Sequence, residues 1–121
     1  MIIHSKRIVF KDGIRPGYLV IEDGKFTKIC EESENLKADI DAKENRIIPG
    51  IIDTHNHGGF GCRMRADIDE EEMKLFLKGC ASFGVTGVFP TASSERDYLA
   101  YPLLVKMADE FQDGAQVLGI H

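Results

Sequence analysis

The chain has 121 residues, 43% hydrophobic and 29% charged, with a formal net charge of −5. This is the composition of a folded chain, long enough for one ordinary domain but far short of the roughly 250 residues of a complete (β/α)8 barrel. The acidic balance offers no basic patch for nucleic acid and no polybasic arm for an anionic membrane, and no apolar run approaches the roughly 18 residues of a transmembrane helix.

The opening, Met1 to Arg7, lacks the sustained apolar stretch and small-residue cleavage site of a secretory leader. Ile2–His4 and Arg7–Phe10 are apolar and β-prone, and Asp12-Gly13 offers a tight turn. Tyr18–Glu22 and Lys25–Cys30 read as a hairpin around Asp23-Gly24, a pair that tolerates the positive φ of a type I′ turn. Glu31 to Lys37 is a polar loop, and Ala38 to Asp41 suggests one more short strand. The expectation for residues 1–48 is a small antiparallel sheet of about four strands, with edges that need cover.

The pattern changes near Pro49. Ile47 to His55 is a continuous apolar run suited to a strand buried on both faces of a parallel sheet. Gly58, Gly59 and Gly61 form a glycine-rich loop. A helix follows, with Asp69 as N-cap, Glu72 as its capping-box partner and Met73, Phe76, Leu77 and Cys80 as its buried stripe. Gly84 suits its C′ position. Val85–Thr91 reads as a strand, and a second helix begins near Tyr101 or Pro102, buries Leu104, Met107, Ala108 and Phe111, and ends at Gly114. Val117–His121 is expected as a third buried strand. The order β-α-β-α-β predicts parallel strands joined by right-handed crossovers. Cys30, Cys62 and Cys80 are odd in number with no C-x-x-C pair, so free thiols and a reducing, cytoplasmic setting are expected.

One constellation carries chemistry. His55-Asn56-His57 stands at the end of a strand, and side chains two apart on a strand share a side, so two imidazoles can converge on one divalent metal ion. The bland alternative is two histidines with ordinary hydrogen-bond partners. Asp53 lies two residues earlier on the same side, which places three polar groups on one face of an apolar strand. It reads as a supporting partner of the histidines, deeper than they are, and not as a proton-transfer base. Cys80 reads as a core residue and Cys62 as a small loop residue next to the site, Ser93 and Ser94 as helix-capping residues, and Arg63 and Arg65 as solvent-facing.

The segment Ile47-Ile48-Pro49-Gly50-Ile51-Ile52-Asp53-Thr54-His55-Asn56-His57-Gly58 resembles the first barrel strand of the amidohydrolase superfamily, and Ile21-Glu22-Asp23-Gly24-Lys25-Phe26 resembles the hairpin of its small β-domain. Three further stretches are similar to the N-acetylglucosamine-6-phosphate deacetylases within it: His57-Gly58-Gly59-Phe60-Gly61, Gly84-Val85-Thr86-Gly87-Val88-Phe89-Pro90-Thr91, and Val117-Leu118-Gly119-Ile120-His121. The resemblance implies an α/β chain: an incomplete β-sandwich over 1–48, then the first βα units of a truncated TIM-like barrel over 49–121. It implies a divalent metal, zinc or iron, held by His55 and His57, with Gly58, Gly59, Thr91 and His121 lining the site and Asp53 behind it. It further implies a cytoplasmic, homodimeric hydrolase that removes the acetyl group of N-acetylglucosamine 6-phosphate by metal-activated water.

The chain departs from that pattern at Cys62-Arg63-Met64-Arg65, where an acidic residue is usual. The family's glutamate ligand, later histidines and proton-handling aspartate would all follow His121, so no catalytic residue is assigned within this chain and the segment is expected to be inactive alone. Two alternatives stand beside this reading: another amidohydrolase acting on a cyclic amide, and a non-catalytic metal-binding or scaffold protein.

Overall fold

In the computed structural model, which describes residues 1–94 and 96–121, the chain separates at Pro49 into two units, Met1–Pro49 and Gly50–His121. The first holds strands β1 (Ile2–Phe10), β2 (Gly13–Glu22), β3 (Lys25–Cys30), β4 (Ile40–Asp41) and β5 (Arg46–Ile47). The β2–β3 turn has positive φ at both Asp23 (50°) and Gly24 (72°), the backbone hand that matches the twist of two antiparallel strands.

The sheet order is β3-β2-β1-β4, with β5 also on β1. β2 pairs antiparallel with both neighbours, but β4 and β5 run parallel to β1. The expected all-antiparallel sheet of four strands is therefore a mixed sheet of five. The reason lies between β4 and β5, where the chain bulges away from β1 and returns in the same direction. Lys6 N donates to Lys43 O at 2.9 Å. The buried Ser5 hydroxyl donates to Asn45 O at 2.7 Å and accepts from Arg7 N at 2.9 Å. A serine inside β1 thus satisfies the backbone of the bulge, a contact with no local signature. Ile8, Tyr18, Leu19 and Cys30 are buried in this unit, while Ile14, Phe26, Ile29 and Ile48 stay exposed. Phe26, Ile29 and Ile48 border an apolar groove of about 210 Å³.

The second unit is α/β. It comprises β6 (Ile51–Asn56), β7 (Gly58–Gly59), β8 (Cys62–Arg63), α1 (Glu70–Ser82), β9 (Val85–Pro90), α2 (Tyr101–Glu110) and β10 (Gln116–Val117). β10, β9 and β6 form a parallel sheet in that order. α1 begins where its capping box closes: Asp69 Oδ1 accepts from Glu72 N at 2.8 Å, and the Glu72 carboxylate accepts from Asp69 N at 3.3 Å. It ends at Phe83, followed by Gly84 at φ 81°, the left-handed position that glycine occupies without strain. Met73, Phe76, Leu77 and Cys80 pack with Val88, Leu104, Met107 and Val117 in one core.

Five expectations change. The apolar run from Ile47 to His55 is not one strand: Pro49, which has no N–H to donate, marks the break between β5 and β6. Nor is β6 buried on both faces, since Ile51 and Ile52 are 49% and 53% exposed; β6 is an edge strand with β9 as its one partner in the sheet. The glycine-rich loop contains a β7–β8 hairpin. Finally, α2 stops at Glu110, not at Gly114, and of the third strand only Gln116–Val117 pairs as a strand, with Leu118 exposed. Gly114 serves a close approach instead: a Cβ there would lie 2.9 Å from the main chain of Leu77, whose carbonyl accepts from Ala115 N at 3.0 Å.

Leu77, fully buried in α1, carries the first prediction: Leu77→Ala lowers unfolding free energy by about 2–5 kcal/mol, read from denaturant midpoints at constant slope. The second concerns acid. Glu70 is gripped by Lys106 at 2.6 Å and Lys74 at 2.8 Å, and these ammonium groups, Lys106 first, hold its carboxyl down at about 2 from an ordinary 4.5. A depressed folded value means that the stabilisation is complete above about pH 4.5 and is lost as the pH falls toward 2. Glu70→Gln is expected to flatten the fall in melting temperature across that window and to leave its slope above pH 5 unchanged.

Candidate metal-binding site at the strand ends

Parallel pairing puts the C-terminal ends of β6, β9 and β10 side by side, and the sequence-predicted site residues gather there. β6 ends at Asn56, whose carbonyl accepts from Thr91 N at 2.8 Å, so Thr91 begins where β9 ends. Leu118 N donates to Val88 O and His121 N to Pro90 O, both at 3.0 Å, while His121 O accepts from Ala92 N at 3.2 Å. The residues after β10 therefore follow the end of β9, and His121 arrives beside His55.

His55 and His57 are both exposed, with their Nε2 atoms 3.2 Å apart. Their rings meet edge to face at 5.0 Å between centroids, and the His121 ring also meets that of His55, at 4.5 Å. Two nitrogens bound at tetrahedral angles to one zinc ion, each about 2.0–2.1 Å from it, stand about 3.3–3.4 Å apart. The pair is thus spaced as two ligands of one metal would be. His121 does not complete a third donor, since among the described residues no three His, Cys, Asp or Glu side chains are grouped to hold an ion.

The main chain under the pair is held from three directions. Asp53 Oδ1 accepts from His55 N at 3.1 Å. Asp53 therefore supports the backbone of His55, a narrower role than orienting the histidine rings. Asn56 pairs with Pro90 in the sheet. His57 O accepts from Met64 N at 3.0 Å beyond the β7–β8 hairpin. Gly58 opens that hairpin at φ 109°, and a Cβ there would overlap Cys62 O. Gly59 lies against Phe76, half-buried, so the two glycines position the turn beneath His57.

Thr91 is buried, and its hydroxyl has no hydrogen-bond partner among the described residues. The same holds for both polar atoms of the Asn56 side chain. Sequence reading passed over Asn56. Strand alternation was the available signal: with His55 and His57 on the open side, the residue between them faces the opposite, buried side. Two polar side chains without partners, side by side where the strands end, mark a point where the fold leaves hydrogen-bonding capacity unused.

The neighbouring residues have structural roles. Asp97, not Ser93 or Ser94, makes the turn before α2, accepting from Ser93 N, Ser93 Oγ and Ser94 N at 2.9–3.1 Å. Arg65 pairs with Glu72 and Asp67, each at 2.9 Å, so it is not a free solvent-facing cation. All three cysteines are free and buried. Cys62 packs in the core, where burial, helped by the nearby Glu72 carboxylate, pushes its thiol up to about 11.

No family model matches the chain. It is 31% identical over 116 residues to N-acetylglucosamine-6-phosphate deacetylase of Bacillus subtilis, a match covering 89% of this chain and 29% of the relative. It is 40% identical over 111 residues to imidazolonepropionase of Thermoplasma volcanium, covering 88% and 27%. Among solved structures, a variant of N-acetyl-D-glucosamine-6-phosphate deacetylase from Mycobacterium smegmatis, in complex with N-acetyl-D-glucosamine-6-phosphate, superposes with a TM-score of 0.77. That likeness has 20% identity and covers 94% of this chain and 31% of that one, so it speaks to the fold. The chain belongs to the amidohydrolase superfamily. Its likeness to the N-acetylglucosamine-6-phosphate deacetylases runs through both sequence and fold, and it spans less than a third of these relatives' length. No helix among the described residues is long and apolar enough to cross a membrane.

Because its thiolate is disfavoured at neutral pH, Cys62 is expected to resist alkylation by iodoacetamide at pH 8 in the native chain and to react at an ordinary rate in denaturant. Rapid native labelling, located by peptide mass, would contradict its placement in the core.

Proposed function

We propose that this chain carries the first two metal ligands, His55 and His57, of an amidohydrolase that removes the acetyl group of N-acetylglucosamine 6-phosphate. The observation that carries the reading is the 3.2 Å approach of the two Nε2 atoms at the C-terminal end of a parallel strand, joined to the deacetylase likeness in sequence and fold. On this reading residues 1–48 belong to a small β-sandwich and residues 49–121 to the first βα units of a TIM-like barrel, in a cytoplasmic homodimeric enzyme.

A zinc or iron ion bound there would supply Lewis acidity toward the amide carbonyl and a water acidic enough to act as nucleophile near neutral pH. For this, His55 and His57 must present neutral imidazoles with both Nε2 lone pairs free. Asp53 holds the main chain of His55, and the hairpin begun by Gly58 and Gly59 holds that of His57. Thr91 and His121 line the same end of the sheet, where Thr91 offers a buried hydroxyl to a substrate polar group. A hydrolytic zinc site needs about three protein ligands and an open position, so two histidines bind an ion without turning over an amide. A second reading, hydrolysis of a cyclic amide by another member of the superfamily, draws on the 40% identity to imidazolonepropionase.

The 121-residue chain is expected to bind one Zn2+ measurably by calorimetry, and His55→Ala and His57→Ala each to weaken that binding at least tenfold with an unchanged melting profile. Acetate release from N-acetylglucosamine 6-phosphate by this chain alone is expected to stay at the buffer blank. Zn2+ binding that survives both substitutions would remove the proposed site.

A further inference from the structure

We propose that His121 is a positioning residue for His55: its imidazole holds the His55 ring in the orientation that brings Nε2 to Nε2 of His57. The functional consequence rests on the metal-pair reading above; the geometry does not. His55 is exposed, and an exposed imidazole turns among several side-chain rotamers on the picosecond-to-nanosecond scale unless something packs against it. Asp53 grips its backbone N–H and leaves the ring free to rotate. The His57 ring meets it through one Nε2 to Nε2 contact at 3.2 Å, which ties a single ring atom and leaves the tilt of the ring plane unset. The remaining aromatic contact is His121, at 4.5 Å between centroids and 65° between planes, a separation and tilt typical of edge-to-face aromatic packing.

His121 can serve this way because its own main chain is tied to the end of β9 and to the residues that follow it, N to Pro90 O and O to Ala92 N. The contact transmits the register of the parallel sheet to a side chain on its edge strand. His55 is the ring common to both contacts. With no three donors grouped around one point among the described residues, His121 acts through ring contact and not as a ligand.

Two substitutions separate these roles. His121→Phe keeps an aromatic edge and removes both nitrogens; His121→Ala removes the edge as well. Titrated with Co2+, His121→Ala is expected to bind about tenfold more weakly, the usual scale for loss of a group that orients a ligand, and His121→Phe to stay within about twofold of the unsubstituted chain. Equal weakening in both would make His121 a ligand, and no change in either would leave it without a role; each outcome overturns the proposal. A metal-free readout accompanies the titration: three-bond couplings of the His55 side chain report one χ1 rotamer in the unsubstituted chain and in His121→Phe, and averaging in His121→Ala. If the unsubstituted chain binds no Co2+, the metal-pair reading fails. The couplings then decide the positioning role alone, and a His55 ring already averaged in the unsubstituted chain overturns it.

Discussion

The parallel pairing of β6 with β9 is the constraint on which the second unit depends. Ile51 N donates to Gly84 O at one end of the pair and Thr91 N to Asn56 O at the other. Between them the ladder sets how far each strand advances before its chain turns away. β9 is in turn anchored by Val88, fully buried against the core that α1 and α2 share. His55 sits on an edge strand with little apolar cover of its own and His57 directly after its end, so their positions derive from a neighbour that is well packed.

This division of labour suits a polar site. The side of the sheet facing the helices carries the burial that stabilises the unit, while the exposed strand ends carry the imidazoles, which need solvent or an ion and not an apolar wall. Asn56 and Thr91 lie at the boundary, their side-chain polar atoms shielded from solvent and, among the described residues, without partners. Elsewhere the fold pairs its charges at the surface. Glu70 takes both Lys74 and Lys106 and so ties α1 to α2, and Arg65 joins the loop after β8 to the first turn of α1 through Glu72.

Much of this was legible in the chain. The stripe Met73, Phe76, Leu77, Cys80 and the Asp69–Glu72 box defined α1, because helix periodicity and capping act over three or four residues. Asp23-Gly24 defined the β2–β3 turn through its backbone preference. The pair His55 and His57 was legible because a strand places alternate side chains on one side. Of the two-residue strands, β4 and β10 fall at expected strands, Ala38 to Asp41 and Val117–His121, but β5, β7 and β8 were not legible, because they are too short to carry a pattern and exist only through their pairing. The split at Pro49 was hidden because the apolar run continues across it, and hydrophobicity alone does not say which of two cores a residue joins.

The sequence by itself determined the helices, the hairpin turn and the residue types at the strand end, since these follow from steric and hydrogen-bonding preferences within a few residues. Tertiary structure decided the parallel placement of β4 and β5 on β1, the exposure of Ile51 and Ile52, the unpartnered state of Asn56 and Thr91, and the arrival of His121 beside His55. Each depends on which segments meet across tens of residues, and no local preference encodes that meeting.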